Sequence, residues 1–452
     1  MAIGGDAGSE VGPRLRRRDA SQDSPAELLM AEGAMRETGE TIEPGGGCDA
    51  QWLARFPLST RGRNIVDARG ERFRLRAANW YGASDEWHVV GGLNLQRLEV
   101  ICTTVKRLGF TAIRLPFSNE MLHSRTQVPD CAIDATLNPE LRGLSPLEVL
   151  DQVVFALGRH SIAVILNNHT SYGAWCGGPD GNGLWYVPGS AKYTAEGWMD
   201  DWARLAARYA RCAHVVGADL RNEVRFCPWP FRWPSLSSNP LVRLTFGHSW
   251  TEAAAMCAER VLASSPDLLI VVERVIWPMR SVEPYFAAPL LPRLAGRLVL
   301  GVHHYSWNGP GRYLPFGVTE NRGFQRCAHI ALRALGFFSK ENYGDMSLET
   351  LRGVLHDQWG HLLETDRCPV WVSEFGSGGP DNSYDFEFFQ RFVTCLGALD
   401  VDFAYWPLNV GQKASGDAEP YGMLAQDWTP KPEGDPRLDA LRGSGLLPPA
   451  AD

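Results

Sequence analysis

From Phe56 onward the chain alternates short apolar runs with longer stretches in which apolar residues recur every three or four positions. The short runs are rich in β-branched and aromatic residues, which suit a buried pleated surface. They predict strands over 73–80 (FRLRAANW), 111–117 (TAIRLPF), 162–169 (IAVILNNH), 215–223 (VVGADLRNE), 268–274 (LLIVVER), 298–306 (LVLGVHHYS), 369–375 (PVWVSEF) and 401–409 (VDFAYWPLN). The longer stretches predict helices near 95–109, 146–160, 197–210, 249–264, 348–364 and 385–399. Between the fifth and sixth strands, PYFAAPLLPRLAG is broken by prolines and predicts only an irregular helix.

Strands that alternate with helices pair in parallel, because parallel neighbours need crossover connections. Eight such units in roughly 370 residues fit an α/β fold of the closed (β/α)8 TIM barrel type, with extended βα loops. No glycine-rich dinucleotide fingerprint follows any strand, which counts against an open doubly wound sheet. Residues 1–50 have no sustained period and are expected to form a disordered N-terminal tail. The barrel domain is expected over 51–440, and 441–452 reads as a C-terminal tail.

The seventh strand raises a chemical question. Val370, Trp371 and Val372 look like a strand interior, yet the run ends on Glu374, followed directly by Phe375 and Gly376. A buried, unpaired carboxylate is costly, so Glu374 must either reach solvent or meet a cation. Other strands end in the same way. The second carries Arg114, the third Asn168 and His169, and the fourth Asn222 and Glu223. The sixth carries His303, His304 and Tyr305, and the eighth Trp406 with Asn409 just beyond. In a barrel of this kind the strand C-termini surround the active site, so these residues predict one constellation.

Two carboxylates on separate strands facing one cavity are the minimum set for glycoside hydrolysis. Like charges in a confined space force their pKa values apart, which supplies one acid and one base near neutral pH. Asn222 is placed to hold a sugar hydroxyl, and Arg114 to keep Glu374 ionised by a charge-assisted hydrogen bond. Period-two alternation puts His303 and Tyr305 on the cavity face and turns His304 away into packing.

Composition narrows the ligand. Sixteen Trp residues concentrate after polar or Gly-rich turns, and indoles stack on the CH-rich faces of sugars. The net charge of −8 and the absence of a clustered basic face exclude a nucleic-acid footprint; Arg14 to Arg18 lie in the tail. The 44% hydrophobic and 21% charged fractions are those of an ordinary soluble enzyme. No Cys/His spacing resembles a zinc site among the ten Cys, and Cys176 with Cys227 is a candidate bridge. No run approaches the roughly 20 apolar residues of a membrane span. The N-terminus lacks the hydrophobic region of a secretory signal.

Taken in order, RLPFS (114–118), NNHTS (167–171), LRNEV (220–224), HHYSW (303–307), VSEFG (372–376) and YWPLN (405–409) resemble glycoside hydrolase family 5, the cellulase family of retaining β-glycosidases. The resemblance spans about residues 60–430 and includes WCGGPDGNGLW at 175–185; Val224 stands where many members have Pro. It implies Glu223 as general acid/base and Glu374 as nucleophile, with Arg114, His169, Asn222, His303 and Tyr305 around them. Trp406 would be the platform under a bound sugar. It further implies no metal or organic cofactor, and secretion. Asn409, Trp175, Trp185 and Trp307 are further candidates for substrate binding, with Trp229 and Trp233 as additional stacking residues.

The expected substrate is a β-linked glucan or related oligo- or polysaccharide, and the protein is expected to be a monomer. A β-mannan remains an alternative, as does a glycolipid met by an apolar patch from 284–294 and 330–338. A silent carbohydrate-binding protein on the same barrel is the alternative from another class. It predicts loss of a carboxylate, whereas Glu223 and Glu374 are both present.

Overall fold

All eight apolar runs form strands, and backbone pairing closes them into one parallel barrel. The computed structural model describes residues 47–176, 183–225, 249–275, 290–309, 342–411 and 418–450. The barrel strands are β1 (Arg76–Asn79), β2 (Ala112–Ser118), β3 (Ala163–Thr170), β4 (Val215–Asp219), β5 (Leu269–Glu273), β6 (Leu298–His304), β7 (Val370–Phe375) and β8 (Asp402–Tyr405). Neighbours follow chain order, and β8 closes on β1. Cys227, Trp229, Trp233, residues 284–289 and residues 330–338 lie outside the described residues; of the two calls that reach them, Cys176 of the candidate bridge is a free cysteine, and Leu290 and Leu294 of the apolar patch are buried in the main core.

Helices α1 (Leu98–Arg107), α2 (Pro146–Arg159), α3 (Ala195–Arg208), α4 (Trp250–Ser264), α5 (Leu348–Leu355) and α6 (Ser383–Leu399) connect the strands. Their starts are written locally. Ser145 and Glu148 form a reciprocal capping box before α2, with Pro146 in its first turn, and the Thr194 hydroxyl accepts from Gly197 N–H at α3. The predicted helix over 348–364 is instead α5, a π-helical turn over His356–Gly360, and a short helix His361–Glu364.

The core has two parts. Outward-facing residues such as Ile113, Val164, Ile270 and Val372 pack against the helices. Inward-facing Ala77, Ala112, Ile165, Val271, Val299, Trp371 and Ala404 fill the barrel, and Phe56, Leu58 and Ile65 join them. Ile65 belongs to a short hairpin, Ser59–Arg61 with Asn64–Val66, that the sequence reading did not predict.

Both tail boundaries need correction. Asp49 caps a short helix at Ala50–Leu53, so folded chain begins before residue 51. At the other end, helix α7 (Pro436–Gly443) is followed by Leu446 and Leu447, both buried in the main core, so the predicted tail at 441–452 is largely folded. Apolar side chains there gain more by burial than the segment loses by ordering.

One irregularity positions the site. Strict alternation from the inward Trp371 would turn Ser373 inward and Glu374 outward, with Val370 and Val372. The pairing slips at this point: Val302 opposes Val372 but His303 opposes Glu374, while Phe403 opposes Val372 and Tyr405 opposes Phe375. β7 therefore holds one more residue than either neighbour, and this bulge swings Glu374 into the barrel mouth. Gly376 follows because a Cβ there would stand 2.2 Å from the Trp406 carbonyl oxygen. The glycine makes room for the β8 backbone.

Candidate active site

Arg114 is fully buried at the barrel mouth, and each of its five N–H donors meets an acceptor. Nε donates to Asp219 Oδ2 at 2.7 Å; Nη1 donates to Asn79 Oδ1 at 2.9 Å and Glu374 Oε1 at 2.6 Å. Nη2 donates to Asn222 Oδ1 at 2.8 Å and Glu273 Oε1 at 2.7 Å. One guanidinium thus holds carboxyl groups from β4, β5 and β7.

Above this layer stand the buried Tyr305 and the partly exposed Glu223. Tyr305 Oη donates to Glu374 Oε2 at 3.1 Å. Glu223 Oε1 lies 3.1 Å from His303 Nδ1, and its Oε2 accepts from Arg225 Nη1 at 3.1 Å. His303 Nδ1 is also 3.4 Å from Glu374 Oε2, so one imidazole sits between the two carboxyls. Glu223, Glu374 and His303 each offer an atom within 4.8 Å of the others. The Glu223 side chain keeps 14% of its surface exposed against 6% for Glu374, so Glu223 is the carboxyl nearer solvent.

The charges respond to this crowding. His303 is buried, which alone would favour the neutral ring, but Glu273, Glu374 and Glu223 hold its pKa well above the ordinary value. Despite burial, His303 and Arg114 pull Glu273 down to about 2. Burial and the neighbouring Glu273 push Asp219 well above the usual carboxylate range. Burial also raises Glu374, against the pull of His303 and Arg114. For Glu223 burial is outweighed by the hydrogen bond and charge of His303 and by Arg225, and its pKa falls.

The aromatic side of the site is layered. Trp406 lies nearly parallel to His169 at 5.6 Å and to Tyr81 at 5.3 Å. His169 Nδ1 is fixed 2.8 Å from Asn167 Oδ1, and burial together with Arg114 holds the ring well below its ordinary pKa, hence neutral. Trp175, 45% exposed, meets Tyr81 edge-on at 5.3 Å, while Trp307, 50% exposed, stacks on Tyr305 at 5.2 Å.

Two predicted binding residues are elsewhere. Trp185 is 2% exposed, wedged between Trp198 of α3 and Trp250 of α4, and belongs to the core rather than the cleft. Asn409 is fully buried; its amide accepts from Tyr81 N–H and donates to Tyr81 C=O, so it ties the β8 and β1 loops together and has no free atom for a sugar. His304 faces away from the cavity and accepts from Trp359 Nε1 at 3.0 Å.

The sequence reading overlooked Asn79, Asp219, Arg225 and Glu273. For Glu273 the signal was present, since LLIVVE ends on a carboxylate just as VWVSE does. Cys176 Sγ lies 3.4 Å from Asn222 Nδ2 and 3.5 Å from Arg225 Nη1. Among the described residues, Glu223, His303 and Glu374 alone converge closely enough to offer a cation three ligands. They fit one poorly, because Arg114 and Arg225 already bring positive charge to both carboxylates.

The family model described as cellulase (glycosyl hydrolase family 5) matches residues 66–412, a stretch that holds every residue of this constellation. The chain belongs to glycosyl hydrolase family 5. This family-5 chain is a glycoside hydrolase of endoglucanase-like type. It is 28% identical to an endoglucanase of Paenibacillus polymyxa over 381 residues, covering 82% of this chain and 83% of that protein. It is 31% identical to the major extracellular endoglucanase of Xanthomonas campestris pv. campestris, covering 81% of this chain and 67% of the relative. The solved catalytic domain of the major endoglucanase from Xanthomonas campestris pv. campestris superposes with a TM-score of 0.64 at 25% identity, over 86% of this chain and 99% of that one. A hyperthermophilic endocellulase from Pyrococcus horikoshii does so with a TM-score of 0.65 at 25% identity, over 87% and 99%.

Proposed function

We propose that this protein is a retaining endo-β-glucanase that cleaves cellulose-like chains by double displacement. Glu223 acts as general acid/base and Glu374 as nucleophile. The observation that carries this reading is the approach of the two carboxyls, with an oxygen of each within 4.8 Å of the other. Retaining pairs stand about 5–5.5 Å apart, whereas inverting pairs need about 6.5–9.5 Å to admit a water.

The hydrogen bonds support the division of labour. Arg114 and Tyr305 converge on Glu374, which suits a carboxylate that must attack as an anion and leave again. Glu223 is nearer solvent, where a glycosidic oxygen would arrive. Burial raises the pKa of Glu374, whereas His303 and Arg225 lower that of Glu223. A sugar filling the cleft removes water from Glu223, the more exposed of the two, and raises its affinity for the proton. Trp406 offers the sugar a flat face, and Trp175 and Trp307 offer two more. An endocellulase from Pyrococcus horikoshii, 25% identical to this chain, has been solved with cellotetraose, which supports a β-glucan substrate here.

The test is proton NMR of cellopentaose hydrolysis at early times. The β-anomer of the new reducing end appears first if the configuration is retained, and the α-anomer appearing first overturns the mechanism. Viscosity of a soluble cellulose derivative falling well ahead of reducing-end release marks endo action; the two changing in proportion overturns that part.

A further inference from the structure

Glu273 is as deeply placed as the two carboxylates above it. Its side chain is 2% exposed, and two donors and the His303 ring converge on it. Oε1 accepts from Arg114 Nη2 at 2.7 Å and lies 3.3 Å from His303 Nε2, while Oε2 accepts the Glu223 backbone N–H at 2.8 Å. The space is reserved for it: a Cβ on Gly301 of β6 would stand 2.9 Å from the Glu273 Cγ.

Two of those groups bear on Glu223. Its φ of 44° lies in the left-handed region, a strained conformation for a residue with a Cβ, which persists only where the surroundings enforce it. The hydrogen bond to Glu273 is the contact made by that residue's own N–H. The second is His303. With Nε2 facing Glu273, the Nδ1 of the same ring is the atom presented to Glu223 Oε1. An ionised carboxylate accepts on both oxygens and donates nothing, so it can meet all three groups; an amide has one acceptor oxygen and would turn N–H against a donor.

We propose that Glu273 is a positioning residue for the acid/base step, holding the Glu223 backbone and the His303 ring so that the Glu223 carboxyl reaches the glycosidic oxygen. Its low pKa keeps it ionised throughout. This inference rests on Glu223 being the acid/base. It differs from simple charge balance around Arg114, which would disturb Glu374, and with it every substrate, to the same degree.

Leaving-group chemistry separates the two. A 2,4-dinitrophenolate departs with little help from an acid, whereas the alcohol of a sugar chain must be protonated. Values of kcat/KM are compared for Glu273→Gln, Glu223→Ala and wild type on 2,4-dinitrophenyl β-cellobioside and on cellotetraose, with thermal unfolding followed in parallel. Glu273→Gln is expected to lose about 100-fold or more on cellotetraose, and to stay within about tenfold of wild type on the activated glycoside, as general acid catalysis contributes on that order. Glu223→Ala should show the same selectivity more strongly.

Equal losses on both substrates in Glu273→Gln, or no loss on either, overturn the proposal while leaving Glu223 in its role if Glu223→Ala is selective. A Glu223→Ala enzyme without selectivity overturns the acid/base reading and the proposal together. Should Glu273→Gln fail to fold, Glu273→Asp, which keeps the charge but shortens the reach, must show the same selective loss, and an equal loss overturns the idea.

Discussion

Arg114 Nη1 donates to Glu374 Oε1 across 2.6 Å, and the same guanidinium also holds Asp219 and Glu273. Removing this cation would leave three buried carboxyls facing one another. Arg114→Met is expected to lower unfolding free energy by about 3–5 kcal/mol, the cost of breaking a buried ion pair from one side. Urea unfolding at pH 7 checks this; a loss under about 1 kcal/mol would show that the network is worth little to the fold.

Tyr305 supplies the second donor to Glu374. Hydrogen bonds to charged groups contribute about 1.5–3 kcal/mol. Tyr305→Phe should therefore slow turnover of cellopentaose by about 10- to 100-fold, with the unfolding midpoint little changed. Glu374→Ala, which removes the proposed nucleophile itself, should leave no measurable turnover while the fold survives. Steady-state kinetics on both variants decides, and a Tyr305→Phe enzyme of wild-type rate would remove that tyrosine from the mechanism.

Trp175, Trp185 and Trp307 respond to different substitutions in different ways. Trp185→Ala empties a core site and is expected to cost about 3–5 kcal/mol of stability, with KM of the folded fraction unchanged. Trp307→Ala and Trp175→Ala remove exposed rings and should leave stability within about 0.5 kcal/mol. KM for longer cello-oligosaccharides should rise about 2- to 10-fold in each, from loss of a stacking face. Melting curves with KM measurements separate the two classes, and the reverse pattern would contradict the placement of these rings.

Glu273 ties stability to acid. Its folded pKa of about 2 lies below the ordinary glutamate value of 4.5, so the unfolded chain binds the proton more tightly. The stabilisation is therefore fully present above about pH 4.5 and is lost as pH falls toward 2, by an amount on the order of 3 kcal/mol. Unfolding free energy of Glu273→Gln should fall less steeply than wild type across that window. Parallel curves would mean that Glu273 titrates alike in both states.

The alternation of apolar runs was enough to identify eight strands, their parallel order and the end of the barrel where chemistry sits. Those features follow from short-range periodicity and from the fixed relation between strand direction and site. The two carboxylates could be read for the same reason, since an apolar strand that finishes on Glu needs an explanation wherever it folds. Glu273 finishes its strand in the same way, but its three partners, Arg114 on β2, His303 on β6 and the Glu223 N–H beyond the end of β4, are connected by no local pattern.

Other features were decided only by the tertiary structure. Alternation alone turns Glu374 outward with Val372; a one-residue excess on β7, visible only against both neighbouring strands, brings it in. Trp175 and Trp185 flank one loop, yet the first is exposed beside Trp406 and the second is enclosed by α3 and α4. Asn409 ends the predicted eighth run and lies beyond β8, where both ends of its amide go to the Tyr81 backbone. Periodicity is a property of one segment. Register, the path of a loop and the partner of a polar group depend on several segments at once, and the closed barrel is what brings those segments together.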